Sequence, residues 1–101
     1  MSTRRTHSIR EIVQPNTGTE VYDTWFGVEL SGAPEGQVQG AHATGGFFSV
    51  QGDSAGVEFV GDGGVYDSDQ WFGEAGYHVH ARQAVGNNGF SIVVTMEYET
   101  P

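Results

Sequence analysis

Two histidines with strand spacing are the first residues in this sequence whose types could do chemistry. His78 and His80 are separated by one residue, and alternate residues of a strand project from the same face. Two such imidazoles can ligate a metal ion, with His42 and Glu74 as candidates for further ligands. The alternative is that both histidines face solvent or an interface. We predict no bound metal and no cofactor, and name His78 and His80 as the candidate ligands should a metal bind.

A second group of candidate ligands is the acidic segment Asp67-Ser68-Asp69, with Asp62 before it and Glu74 after it. Carboxylate oxygens suit Ca²⁺, but the EF-hand loop needs acids and a glycine at fixed positions, and a loop starting at Asp62 or Asp67 does not provide them. Turn chemistry, in which Asp and Ser bond to their own backbone, explains the same residues. A calcium site through Asp67 and Asp69 therefore stays an alternative to a plain turn.

No arrangement typical of catalysis is recognisable. Serines and acids are present, but the sequence has no nucleophile elbow and no glycine-rich phosphate loop before a helix. Glu97 and Glu99 are predicted to lie on one exposed face of a strand, which is more typical of a solvated strand than of an acid/base pair. With no cysteine, disulfides, thiolate zinc sites and cysteine nucleophiles are excluded. We predict that the protein is not an enzyme.

The aliphatic residues favour strands. Valine occurs twelve times and leucine once, and β-branched side chains suit a pleated sheet. Alternating apolar residues between glycine-rich turns predict an all-β protein, a single small antiparallel β-sandwich or jelly-roll-like barrel of about seven or eight short strands. Segments 76–85 and 89–99 are predicted to form a β-hairpin around the turn 86–89. Earlier strands are predicted at 8–14, 20–30, 37–43, 46–51, 56–60 and 70–74.

Adjacent aromatic residues occur three times, as Trp25-Phe26, Phe47-Phe48 and Trp71-Phe72. Neighbouring residues of a strand point to opposite faces, so a two-layer fold buries one member of each pair. Alternation assigns Trp25 and Phe47 to the outside. Either Trp71 or Phe72 is the outward member of the third pair. Exposed aromatic groups are typical of a contact surface, and a carbohydrate-stacking platform is an alternative use for them.

Charge is distributed unevenly along the chain. The sequence has 13 acidic residues, 4 arginines and no lysine, for a formal net charge of -9. Arg4, Arg5 and Arg10 lie in residues 1–10, which contain no acid, whereas residues 11–101 contain every acid and only one arginine. We predict a basic N-terminal arm over 1–10, extending from an acidic β-sandwich domain over 11–101.

Such an arm is matched to an acidic protein surface. Three arginines are few for nucleic-acid binding, and an acidic body would repel phosphate, so no direct nucleic-acid binding is expected. No apolar run approaches the ~20 residues that span a bilayer, and no membrane partner is expected either. The partners predicted are other protein subunits, either further copies of this chain or a major structural protein.

These features together favour a non-enzymatic structural subunit of a larger assembly. Small β domains with basic or polar arms resemble, in general character, minor capsid, decoration or tail components of viruses, and this resemblance implies a virion protein assembled in the host cytoplasm. The alternative is a carbohydrate- or cell-surface-binding β-sandwich module, with or without a bound Ca²⁺. The predicted interface residues are Arg4, Arg5, Arg10, Trp25, Phe47 and Trp71.

Overall fold

The computed structural model describes residues 3–53, 55–59, 64–66 and 75–101, with 64–66 described by their backbone. This part of the chain is mostly strand, and its one helical segment is a single 3-10 turn at Leu30–Gly32. The all-β prediction is therefore confirmed. The strands are β1 (Thr3–Val13), β2 (Tyr22–Glu29), β3 (His42–Gly52), β4 (Val57–Phe59), β5 (Gly64–Tyr66), β6 (Gly76–Gln83) and β7 (Phe90–Thr100).

The strands form two antiparallel sheets. The first sheet has the order β1-β7-β3, and β1 pairs with β7 without interruption from Thr3 opposite Thr100 to Val13 opposite Phe90. In the second sheet β2 lies on one side of β6, and β4 and β5 lie one after the other along the opposite side. Both sheets therefore have a central strand, β7 or β6, and open strands at their sides.

Side chains from both sheets meet in one hydrophobic core. Alternate residues of β7 supply its largest block, because five apolar side chains from Phe90 to Tyr98 point the same way and are buried. The Phe26 ring of the second sheet meets the Phe90 ring of the first edge to face, with centroids 6.2 Å apart. Burying each such side chain stabilises the fold by roughly 1.5–3 kcal/mol. The core is what holds the two sheets together.

The predicted hairpin of 76–85 and 89–99 is wrong. Both segments are strands, but β6 pairs within the second sheet and β7 within the first, so the link 84–89 carries the chain from one sheet to the other. Gly86 and Gly89 do adopt the positive φ that the turn signal implied. Glycine and asparagine tolerate the backbone angles of a tight hairpin and of a crossing between sheets, so their presence does not distinguish the two. Here the segment crosses between the sheets, and the Asn87 side chain is buried.

A buried network of amide side chains fixes this crossing. Asn87 accepts a hydrogen bond from Gln83 Nε2 at 2.9 Å and donates through Nδ2 to the carbonyl oxygen of Asp53 at 2.7 Å. Gln83 also donates to the carbonyl oxygen of Gln14 at 2.8 Å, and Asn16, which is fully buried, donates to that of Gln83 at 3.1 Å. In the described part of the chain, every buried polar side-chain atom has a partner. The network ties three connections together at one end of the molecule.

The first strand begins at Thr3, five residues before the predicted start, so residues 3–10 are not a free arm. Their main chain pairs with β7, and Ile9 and Val13 pack against the core. An edge strand accommodates charges on both faces, because its side chains reach solvent around the open side of the sheet. The concentration of arginine in this segment therefore does not prevent it from forming a strand.

Other boundaries differ in smaller ways. The two strands predicted at 37–43 and 46–51 form the single strand β3, which begins at His42 and has an irregularity between Ala43 and Gly45. Residues 33–41 form turns that lead from the second sheet to the first. The strand predicted at 70–74 lies outside the described residues.

Candidate functional site

The two described outward aromatic residues lie on different sheets. Trp25 is on β2 and lies on the outer face of the second sheet, where the residue is 64% accessible. Phe47 is on β3 and stands on the outer face of the first sheet, 55% accessible. Phe26 is buried and Phe48 packs against the core, as the alternation predicts. Trp25 and Phe47 therefore cannot form one flat platform, and Trp71 lies outside the described residues.

Trp25 is held in place by a chain of polar contacts on the outer face of the second sheet. Its ring stacks on that of His80, which is directly opposite on β6, with centroids 4.6 Å apart and 7° between the planes. His80 Nε2 lies 3.1 Å from Asp23 Oδ1, and Arg82 Nε donates to the same oxygen at 3.0 Å. The hydrogen bond from Arg82, reinforced by His80, lowers the pKa of Asp23 below its ordinary value. An exposed tryptophan is thus fixed by an aspartate that stays ionised.

A shallow groove of about 220 Å³ runs beside the Trp25 ring, above Gly27. The ring of His78 lies directly over Gly27, where it occupies the space a side chain would need. Glu29, the next outward residue of β2, lines the groove beyond. A ring, an imidazole and a carboxylate around a concave floor could receive a sugar or another small polar ligand.

The predicted metal ligands separate into two regions. His78 and His80 share the outer face of the second sheet, as their spacing predicts. His42 does not join them, because it begins β3 in the first sheet, where its Nε2 lies 3.5 Å from Glu99 Oε2. No group of three or more His, Asp or Glu residues suited to a metal ion occurs among the described residues. Other predicted ligands lie outside them: Asp62, Asp67, Asp69 and Glu74.

The arginines predicted to reach a partner find acids within their own chain in two of three cases. Arg4 Nε lies 3.4 Å from Glu99 Oε1 while the Arg4 side chain stays 91% exposed, and Arg5 forms an ion pair with Glu35. These residues line a cleft of about 680 Å³ at the amino-terminal end of β1. For Arg10, the described residues provide no carboxylate partner. The arginines thus extend along β1 rather than along a free arm.

Open strand edges, which were not predicted from the sequence, occur at both sides of the described sheets: β1 and β2 at one side, and β3, β4 and β5 at the other. Beyond the sheet pairings, no hydrogen bond among the described residues reaches the main chain of β1 or β2. The two edges lie at the same side of the molecule, because β1 contacts β2 there while β3 contacts β5. The length of β1 could have been predicted from the sequence, because Thr3–Val13 contains no glycine or proline and Pro15 follows shortly after.

Exposed apolar residues accompany these edges. Ile12 on β1 is 74% exposed, and Val21, immediately before β2, is 54% exposed. Tyr22 and Trp25 on β2 are exposed as well. Apolar groups beside unpaired backbone are typical of surfaces that join another chain.

No family model matches this chain, and the searches of curated proteins and of solved structures found no match either. Within the described ranges, no helix is long and apolar enough to cross a membrane.

Proposed function

We propose that the protein is a non-enzymatic structural subunit that joins neighbouring subunits through its open strand edges and outward aromatic residues. The observation that carries the proposal is the pair of open edges, β1 and β2, at one side of the molecule. Unpaired backbone groups of an edge strand are a template for pairing with another chain.

The finer architecture we propose is a β-sandwich. Supporting it, each sheet turns alternate apolar residues towards one shared core, and its charged residues and exposed aromatic residues lie on the other face. The buried polar side chains of the described residues are amides and hydroxyls, and the amides bond to connections between strands. These buried polar groups stabilise the connections of the fold, and we take this as support for a structural role.

The setting we propose is a virion, in which the subunit would be a minor capsid, decoration or tail protein. Support comes from general character: a small acidic β domain that carries three of its four arginines along one edge strand. Partners would be further copies of this chain or a major structural protein.

The mass of the purified protein in solution tests this proposal. Native mass spectrometry and light scattering, across protein and salt concentration, should detect particles of more than one copy, either alone or after mixing with a candidate structural partner. Contacts between exposed charges weaken with salt, whereas contacts between apolar groups do not. A monomer under all these conditions would contradict the proposal.

A second candidate function, carbohydrate or cell-surface binding, is favoured by one observation. Trp25 is exposed yet fixed by its stack on His80, and a groove lies beside it. A tryptophan held in one orientation can stack on a sugar without a loss of side-chain entropy on binding.

Glycan-array binding tests this alternative. Trp25→Ala should abolish binding, whereas Phe47→Ala, which removes an exposed aromatic group from the other sheet, should not. Calcium dependence would be seen as loss of binding in a chelator. Equal binding by wild type and Trp25→Ala would rule out the groove as the site.

A further inference from the structure

The two open edges run in opposite directions at the same side of the sandwich. Two of the connections that join the sheets, 14–21 and 84–89, lie at one end of the molecule, where the main chain of Asn16 bonds to that of Asn87 and of Gly86. β1 runs towards that end and β2 starts from it. A two-fold axis parallel to the strands, between the two layers, would therefore place β2 of one copy beside β1 of another in antiparallel orientation.

The charges of the two edges are opposite. β1 contains three arginines and one glutamate, whereas β2 contains two acids and no base. Two copies of β1 side by side would oppose like charges, which is destabilising across a strand pair. The charges of β1 therefore disfavour pairing with a second β1 and favour pairing with an acidic strand.

We propose that two copies of this chain form a symmetric dimer in which β1 of each pairs antiparallel with β2 of the other. This inference rests on the proposed function and assigns the surface and the partner through which the subunit assembles. Each sheet would continue into the opposite sheet of the partner, and all four edges on this side would be covered.

One register matches the charges of both strands. When Arg4 lies opposite the partner's Glu29, Arg10 lies opposite the partner's Asp23, because the two basic and the two acidic residues are equally spaced along their strands. All four are outward residues of their sheets. Within one chain, Arg10 and Glu29 have no ion-pair partner among the described residues, so the dimer would supply one to each.

Apolar residues agree with the same register. Ile12 would lie opposite the partner's Val21, which joins the most exposed aliphatic residue of β1 to an exposed aliphatic residue immediately before β2. Moving the pairing by two residues would place Ile12 opposite the partner's Asp23 instead. The match of apolar with apolar and of base with acid therefore selects a single alignment.

Charge reversal tests the pairing. Arg4→Glu and Glu29→Arg should each weaken the dimer about tenfold, since each change acts at two symmetric contacts and replaces attraction by repulsion. The double variant should restore the affinity of the wild type. Glu58→Arg, an equal change of charge on β4 at the opposite side, should leave it unchanged. A double variant as weak as the single ones would overturn the pairing.

A cross-link tests the register and separates the inference from the proposed function. The chain has no cysteine, so every disulfide in Ile12→Cys combined with Val21→Cys joins introduced residues. Oxidation should give a covalent dimer in which peptide mass spectrometry finds residue 12 of one chain joined to residue 21 of the other. Ile12→Cys with Phe47→Cys is the matched control and should stay monomeric under denaturing conditions. An oligomeric protein that forms no such cross-link overturns the β1–β2 interface while assembly stands. A protein that stays monomeric both alone and when mixed with candidate structural partners would contradict both the β1–β2 interface and the proposed function.

Discussion

Removing the Asn87 side chain should be among the most damaging single changes in this protein. The amide accepts hydrogen bonds from Gln83 Nε2 and the Gly89 N–H, both at 2.9 Å, and donates to the carbonyl oxygens of Asp53 at 2.7 Å and Ala55 at 2.9 Å. Asn87 is 4% exposed. Asn87→Ala therefore removes one partner from each of four polar groups; the Gln83 amide is buried and keeps its bond to Gln14, and the other three groups are part-buried.

The magnitude follows from those four bonds. Each intramolecular hydrogen bond contributes about 1 kcal/mol net, and buried groups that lose their partner cost more. We expect Asn87→Ala to lower the free energy of unfolding by about 3–5 kcal/mol, a large part of the roughly 5–15 kcal/mol typical of a small domain. The neighbouring Asn88 is exposed, and among the described residues its side chain makes one hydrogen bond, to Asp53 Oδ2 at 3.1 Å. Asn88→Ala should cost less than about 1 kcal/mol.

Urea unfolding, followed by tryptophan fluorescence and far-UV circular dichroism, measures both variants under the same conditions. The midpoint should fall steeply for Asn87→Ala and little for Asn88→Ala, with similar slopes. If the two variants lose equal stability, the crossing between the sheets does not depend on the buried amide and the reasoning is refuted.

Three further predictions concern the first strand, a close approach and an ion pair. Deleting residues 1–10 removes most of β1 from β7, so the shortened protein should unfold at much lower urea concentration, contrary to the behaviour of a free arm. Gly46→Ala should lower the free energy of unfolding by about 1–3 kcal/mol, because its Cβ would meet a buried tyrosine ring and lie 2.6 Å from a strand carbonyl, whereas Gly45→Ala has room; equal loss in both would contradict this. Because the folded pKa of Asp23 is lowered, its contribution is present above the ordinary value of 3.8 and is lost as pH falls through the folded pKa. Arg82→Ala should therefore reduce the loss of stability on acidification, and unchanged pH profiles of unfolding would refute it.

The fold class could be predicted because alternation is a local property. Phe90 to Tyr98 alternate cleanly, and the same parity assigns Trp25 and Phe47 to the outside. Parity does not say which sheet a strand joins, so it could not show that these two rings lie on different sheets. That information comes from pairing between residues far apart in the chain.

The wrong predictions of the hairpin at 76–99 and of the arm at 1–10 have physical causes of the same kind. Gly86 and Gly89 signal a turn, but whether the turn returns within a sheet or crosses to the other depends on the partners of Asn87, which come from elsewhere in the chain. The arginines of β1 suggested an arm because their charge was considered without the acids they meet, such as Glu99 and Glu35. The candidate dimer surface follows from both corrections, since it requires β1 to be a strand at an edge.

Hydrogen exchange as a function of protein concentration is the sharpest test of the pairing between β1 and β2 of two copies. Outward main-chain N–H groups of β1 and β2 are open in a single copy and hydrogen-bonded when the edges pair, so their exchange rates report association at those strands. If these edges pair, protection in peptides covering 3–13 and 22–29 rises together with concentration, while the β3 and β4 edges stay unchanged. Exchange in both segments that does not depend on concentration, or protection that rises only at β3 and β4, would contradict the pairing.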